Sequence, residues 1–246
     1  AASSDYPLRD VYKRQLHGWV VDPAKVRVIA HGAADNRPAA GEVSPTRARP
    51  TILTWGLLGE GKGIEWALMA MADVVDLAPA PLYRVVGETH PRVIERDGER
   101  YRDRLVALSE SLGVEGLVSF EGRYLDEPSL RRVIREADVV LLPYDSRDQV
   151  TSGVLTEAVV AGKPVISTGF PHAVELLSGG AGIIVPQRDP KAIAAALRRV
   201  LTEPGLIASM GAVATELAPG LLWSGVAAEY VALGTSLLGT AKLSVA

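Results

Sequence analysis

Thr51-Ile52-Leu53-Thr54-Trp55-Gly56-Leu57-Leu58-Gly59-Glu60-Gly61-Lys62-Gly63 is the stretch that decides the fold. Thr51–Trp55 is apolar or β-branched without polar alternation, as expected of a strand covered on both faces. A glycine-dense turn comes next, and from Gly63 to Leu77 the apolar spacing becomes helical. The same alternation repeats to the end of the chain. Further strands are predicted at Leu82–Gly87, Leu117–Phe120, Val139–Pro143, Pro164–Thr168 and Gly182–Val185. Helices are predicted at Asp97–Gly113, Glu127–Glu136, Gly153–Ala161, His172–Leu177, Pro190–Leu201, Leu206–Leu217 and Leu222–Leu238. In Pro190–Leu201 the residues Ile193, Ala196, Leu197, Val200 and Leu201 fall on one stripe, with Lys191, Arg198 and Arg199 off it. Strict β-α succession through short connections requires right-handed crossovers. The fold class is therefore α/β, a doubly wound parallel (Rossmann-like) sheet.

Composition sets the outer bounds. The chain has 246 residues, 48% of them hydrophobic and 22% charged, enough for one large α/β domain and unlike a disordered chain. Lys+Arg 26 against Asp+Glu 29 leaves a net charge of −3, so no basic field is available for a polyanion, and nucleic acid is not expected as a partner. Cysteine is absent and the 4 histidines show no metal-ligand spacing, so no metal site and no thiolate chemistry are expected. Glu216 and Glu229 interrupt the apolar C-terminal stretch, and a cytoplasmic location is expected. Residues 5–15 (DYPLRDVYKRQ) look foreign to the rest of the chain, like translated adapter sequence, and residues 1–25 are read as a foreign or disordered segment. Lys25–Ala30 (KVRVIA) is a β-branched run, and residues 33–50 read as a linker. Residues 51–240 form the ordered domain.

In a doubly wound sheet the ligand lies at the carboxyl ends of the strands. After the first strand, Gly56–Gly63 offers small residues, a helix N-terminus and the mobile charge of Lys62, a combination that suits a diphosphate; the alternative is a tight turn with a solvated lysine. The turn fits neither a Walker loop nor a G-x-G-x-x-G fingerprint, which disfavours a dinucleotide oxidoreductase. After the fourth strand, Ser152-Gly153 marks a helix start, and Glu157 lies about one turn inside it, placed to hold a ribose diol; the alternative is an acidic residue favoured by the helix dipole. His172 is read as a packed or surface imidazole.

From Thr51 to about Leu233 the sequence resembles the C-terminal, donor-binding domain of GT-B glycosyltransferases of the family 4 type. The resemblance rests on four features in order: Gly61-Lys62-Gly63; Gly122 after Val118-Ser119-Phe120; Glu157-Ala158 with Gly162, Pro164 and Val165; and Gly180, Gly182, Val185-Pro186 before Asp189-Pro190. Trp223, Ala227 and Tyr230 resemble the closing helix of that fold. It implies a retaining transferase using a nucleotide-sugar donor, without cofactor or metal. It also implies Lys62 and Gly61 on the diphosphate, Glu157 on the ribose, backbone at Ser152, Gly153 and Val154 on the phosphates, and Arg123 and Tyr124 in the base-contacting loop. Gln149 and Glu157 then occupy the positions of the family's paired catalytic glutamates.

Two positions depart from the family pattern. Gln149 stands where the family has a glutamate, and its amide can hydrogen-bond a sugar hydroxyl but cannot stabilise positive charge. Leu57 stands where the family has an arginine, which removes a bidentate clamp and leaves Arg147 as the candidate replacement cation. The resemblance further implies an N-terminal, acceptor-binding domain that this chain lacks, with residues 26–50 as the strand and linker joining the two. On that reading the chain alone is an inactive fragment of an enzyme associated peripherally with membranes. Its uncovered face, Trp223 and Tyr230 first, predicts self-association into a dimer. The competing readings are a nucleotide-sugar-binding module without catalysis and a sugar-nucleotide epimerase of the same fold.

Overall fold

A computed structural model describes residues 22, 25–37 and 48–243. Six parallel strands, β1 (Thr51–Trp55), β2 (Leu82–Val86), β3 (Val118–Glu121), β4 (Val139–Leu142), β5 (Val165–Thr168) and β6 (Gly182–Val185), form one sheet in the order β3-β2-β1-β4-β5-β6. Nine α-helices are described: α1 (Ile64–Ala72), α2 (Pro91–Asp97), α3 (Arg100–Ser111), α4 (Glu127–Glu136), α5 (Gly153–Val160), α6 (Pro171–Leu177), α7 (Pro190–Thr202), α8 (Leu206–Leu217) and α9 (Trp223–Leu243). The doubly wound parallel sheet expected from the sequence is present. Winding runs outward in both directions from β1, so the switch point lies between β1 and β4.

Strand pleating sorts the core into two layers. Leu53, Trp55, Val140 and Leu142 pack on the face covered by α4, α5 and α8. Ile52, Val139 and Leu141 pack on the opposite face, under α1, α3 and α7. Successive residues of one strand thus bury on opposite sides, which is why these strands read as unbroken apolar runs. The helices begin where capping chemistry starts them: Asp126, Ser152 and Asp189 accept from Ser129, Leu155 and Ala192 N–H groups, with proline in the first turn of α4 and α7. The stripe predicted on α7 is buried at Ile193, Ala196, Leu197 and Val200, while Lys191 and Arg198 reach Asp73 and Asp76 at the end of α1.

Three expectations are corrected. The helix from Gly63 stops at Ala72 rather than Leu77. The helix expected over Asp97–Gly113 starts at Arg100 and ends at Ser111, and an unexpected helix, α2, precedes it and ends at Gly98, φ 63. Lys25–Ala30 forms no strand among the described residues, since none of its backbone joins a ladder there. Backbone pairing with the sheet domain begins instead at Ala33, which pairs with Leu221 and Trp223 through N–H···O bonds of 2.8 and 3.1 Å. Asn36 then bonds the Arg131 carbonyl and the Arg135 guanidinium on α4. Residues 38–47 of the linker, and nearly all of the segment read as foreign, lie outside the described residues.

Candidate nucleotide-sugar site

Two glycines let three strand ends crowd together at the switch point. Gly63 precedes α1 at φ 66, and a Cβ there would lie 1.8 Å from the Pro143 carbonyl oxygen at the end of β4. Gly87, at φ 137, would place a Cβ 2.1 Å from the Gly56 carbonyl oxygen. Only residues without a side chain fit these positions. The turn after β1 is tied down further, because the Asp145 N–H donates to the Gly61 carbonyl at 3.0 Å.

The crowding leaves a cleft of about 520 Å³, with Leu57, Gly61, Lys62, His90, Tyr144 and Gln149 in its lining. Lys62 is the cation of this cleft. Its ammonium lies 4.4 Å from the centroid of the Tyr144 ring, and among the described residues it has no carboxylate within ion-pair distance. Burial pushes its pKa down, the direction expected when a charged group loses water without gaining an anion. The neighbouring Asp145 is already committed, accepting from Trp66 Nε1 at 3.0 Å and pairing with Arg188 at 3.1 Å. Gln149 donates from Nε2 to the Thr151 carbonyl at 3.1 Å. Arg147 is exposed and does not line the cleft, so the structure gives no support to it as a replacement cation.

Beside the cleft stands the N-terminus of α5. Ser152 is buried: its Oγ accepts from Leu155 N–H, and its own N–H donates to His172 Nδ1 at 2.9 Å. Of the three residues assigned to phosphate binding, Ser152 is therefore the helix cap, and the first-turn amides left open are those of Gly153 and Val154. The packed reading of His172 holds. The ring is 5% exposed, and burial first, then the nearby His31, pulls its pKa from 6.5 to about 4, so it is neutral and its Nδ1 accepts. One turn into α5, Glu157 Oε2 accepts from Trp55 Nε1 at 3.1 Å, which leaves Oε1 without a partner among the described residues. Burial raises the Glu157 pKa; the Trp55 bond and His31 oppose the rise.

An apolar slot of about 120 Å³ continues the cleft along the same edge. Trp55, Val86, Tyr124, Leu125 and Leu130 line it, with Glu88 and Arg123 at its margin, and Leu57 borders both cavities. Tyr124 is held by its backbone, whose N–H donates to Glu88 Oε1 at 3.2 Å, while its ring is 79% exposed. Arg123 pairs with Glu121 at 3.2 Å. Lys62 thus lines the cleft, and Glu157 is bonded to a tryptophan that lines the slot. Glu157 itself lines neither cavity and is linked to the slot through its bond to Trp55.

A family model described as Glycosyl transferases group 1 matches residues 49–203. The chain belongs to this family. It is similar to D-inositol 3-phosphate glycosyltransferases, with 29% identity to that of Rhodococcus opacus (strain B4) over 82% of this chain and 46% of the relative. The identity to that of Corynebacterium glutamicum (strain R) is 30% over 89% of this chain and 53% of the relative. The chain spans about half the length of these curated relatives. Among solved structures, Anabaena Alr3699/HepE in complex with UDP and glucose superposes with a TM-score of 0.76 at 17% identity, over 92% of this chain and 61% of that one. The C-terminal domain of the group 1 family protein LpcC of Francisella tularensis superposes at 0.57, 17% identity, 70% of this chain and 84% of that one.

The structure adds residues to the site that the sequence did not single out. Tyr144 lies against Lys62, Asp145 lines the same cleft while bonded to Trp66 and Arg188, and His90 caps α2 at the cleft, its Nδ1 accepting from Arg92 N–H. His31 approaches the start of α5, its Cε1 being 3.4 Å from the position of a Cβ on Gly153, and its ring lies 5.3 Å from that of Trp223. Arg102 donates to the Gly87 carbonyl at 2.7 Å and packs against Gly122, bracing the loop that carries Arg123. Tyr144 and Asp145 had one available signal, their position directly after a strand at the switch point. The others depend on tertiary contacts alone. Among the described residues no cluster of His, Asp and Glu suits a metal ion, and no helix is long and apolar enough to cross a membrane.

Proposed function

We propose that this chain is the donor-binding, C-terminal half of a retaining GT-B glycosyltransferase of the family 4 type, which takes a nucleotide-sugar donor. The observation that carries the reading is the Lys62 ammonium, desolvated and without an anionic partner among the described residues, on the same sheet edge as the open Gly153 and Val154 amides and Glu157. A diphosphate supplies the missing anion. Transfer leaves its terminal phosphate more negative than in the bound sugar nucleotide, so a fixed ammonium and two amides favour the departing state over the ground state. Glu157, with one oxygen held by Trp55 and the other open, accepts ribose hydroxyls, and the slot beside Leu57 takes the base.

Gln149 lines the cleft and hydrogen-bonds the sugar without contributing charge. The neutral amide at that position favours a second reading, a nucleotide-sugar-binding module without catalysis. Under the first reading transfer requires an acceptor-binding half that closes over the cleft and excludes water. Calorimetric titration with UDP, GDP and their sugars, against NADH as control, tests the donor class. Binding of a nucleoside diphosphate but not of NADH is expected; the reverse sinks the proposal. Assay of sugar transfer with and without a supplied acceptor-binding half then separates enzyme from module.

A further inference from the structure

Lysines half-buried in protein clefts ordinarily pair with a carboxylate, and the two carboxylates that line this cleft are bonded elsewhere, Asp145 to Trp66 and Arg188, Glu60 to Arg96 and Arg104. What Lys62 has instead is the Tyr144 ring. That ring is 2% exposed and stacks on Phe170, at 5.7 Å between centroids and 18° between planes, so it is a fixed surface. Among the described residues its hydroxyl has no hydrogen-bond partner, and the contact it offers Lys62 is its ring face. We propose that Tyr144 is a positioning residue whose π face holds the Lys62 ammonium at the margin of the cleft, leaving its charge uncompensated and directed to a bound diphosphate.

The inference rests on the assignment of Lys62 to the diphosphate and deepens it. An aromatic face attracts the ammonium without cancelling its charge, whereas a carboxylate would neutralise it and have to be displaced by the ligand. Fixing the side chain beforehand also spares the ligand the loss of rotamer freedom that binding otherwise imposes on a free lysine. The three donors of the ammonium remain available because a ring face accepts no conventional N–H···O bond. Phe170 completes the device by holding the ring in place.

The test reads the platform and the ligand separately. In the ligand-free chain, Tyr144 should shift the Lys62 ε-methylene protons upfield by its ring current. The shift should persist in Tyr144→Phe, disappear in Tyr144→Leu, and remain after UDP is added. In calorimetry, Tyr144→Phe should bind UDP within about twofold of wild type and Tyr144→Leu about two- to tenfold more weakly, the range set by immobilising one long side chain. Thermal melting of both variants controls for folding. A Lys62 methylene at its solvent-exposed position in the wild-type chain overturns the platform, and so does a Tyr144→Leu variant that binds UDP as the wild type does. If the ring-current shift is present but UDP affinity ignores Lys62→Ala, the nucleotide assignment falls and the diphosphate role of the platform falls with it, while the contact stands.

Discussion

Replacement of His172 by asparagine isolates the group that anchors the start of α5. The imidazole is neutral in the fold, and its Nδ1 accepts the Ser152 N–H at 2.9 Å. Its folded pKa, about 4, lies below the ordinary 6.5, with burial as the main cause. Between those two values the unfolded chain binds more protons than the folded one, so stability from this group is complete above about pH 6.5 and drains away as pH falls to about 4. At about 1.4 kcal/mol per pH unit, the interval corresponds to about 3 kcal/mol, a large part of the roughly 5–15 kcal/mol that holds a domain together. His172→Asn keeps an acceptor for Ser152 N–H and removes the titration. Urea unfolding of both proteins from pH 7.5 to pH 4 should show the wild type losing about 3 kcal/mol more than the variant, most of it below pH 6. Parallel curves over that range would refute the neutral, acceptor state of His172.

The same geometry sets three other outcomes. Gly63→Ala should destabilise the domain by about 3 kcal/mol or more in chemical denaturation, because its Cβ would lie 1.8 Å from the Pro143 oxygen at a backbone φ of 66; a loss under about 1 kcal/mol contradicts the close packing of the strand ends. Tyr144→Phe should be neutral or stabilising by about 1 kcal/mol, since it deletes a buried hydroxyl with no hydrogen-bond partner among the described residues; a clear loss of stability in thermal melting shows that the hydroxyl has a partner. Glu157→Gln should flatten the dependence of stability on pH above the ordinary carboxylate range. Burial raises this pKa, so the folded state pays for the charged form at neutral pH and not in acid, and glutamine retains an acceptor for Trp55 Nε1. Identical pH profiles for variant and wild type count against a desolvated carboxylate.

The sheet was readable from the sequence because parallel strands covered on both faces become solid apolar runs: all five residues of β1 and all four of β4 and β5 are buried. Helices with a marked cap and an apolar stripe, such as α4 and α7, were equally plain. Helix α2 left no such trace, for none of its residues is buried; its one signal is Pro91 after the capping His90. Lys25–Ala30 misled in the other direction, since β-branched composition without a neighbouring strand does not make a ladder. At the site, the places of Lys62 and Glu157 came from a strand end and a helix start, which are local, and that of Gln149 from the family resemblance. The Tyr144 ring under Lys62, the commitment of Asp145 to Trp66 and Arg188, and the capture of Ser152 N–H by His172 are contacts between elements, and no local pattern encodes them.

Helix α9 exposes Trp223 at 52%, Tyr230 at 60% and Leu238 at 71%. The helix is tied to the domain through the paired backbones of Ala33, Leu221 and Trp223, where Gly32 lies so close to the indole that a Cβ would fall 2.3 Å from it. The segment leading into the sheet domain and the last helix are therefore joined at one corner, next to the start of α5 where His31 stands.

The most direct measurement titrates UDP and uridine in parallel into the wild-type chain, Lys62→Ala and Glu157→Gln. Losing one charge-assisted contact costs about 1.5–3 kcal/mol, so Lys62→Ala should weaken UDP about ten- to 150-fold and leave uridine unchanged, while Glu157→Gln should weaken both ligands alike. Uridine affinity that falls with Lys62, or UDP affinity that responds to neither substitution, contradicts a nucleoside diphosphate lying along this edge.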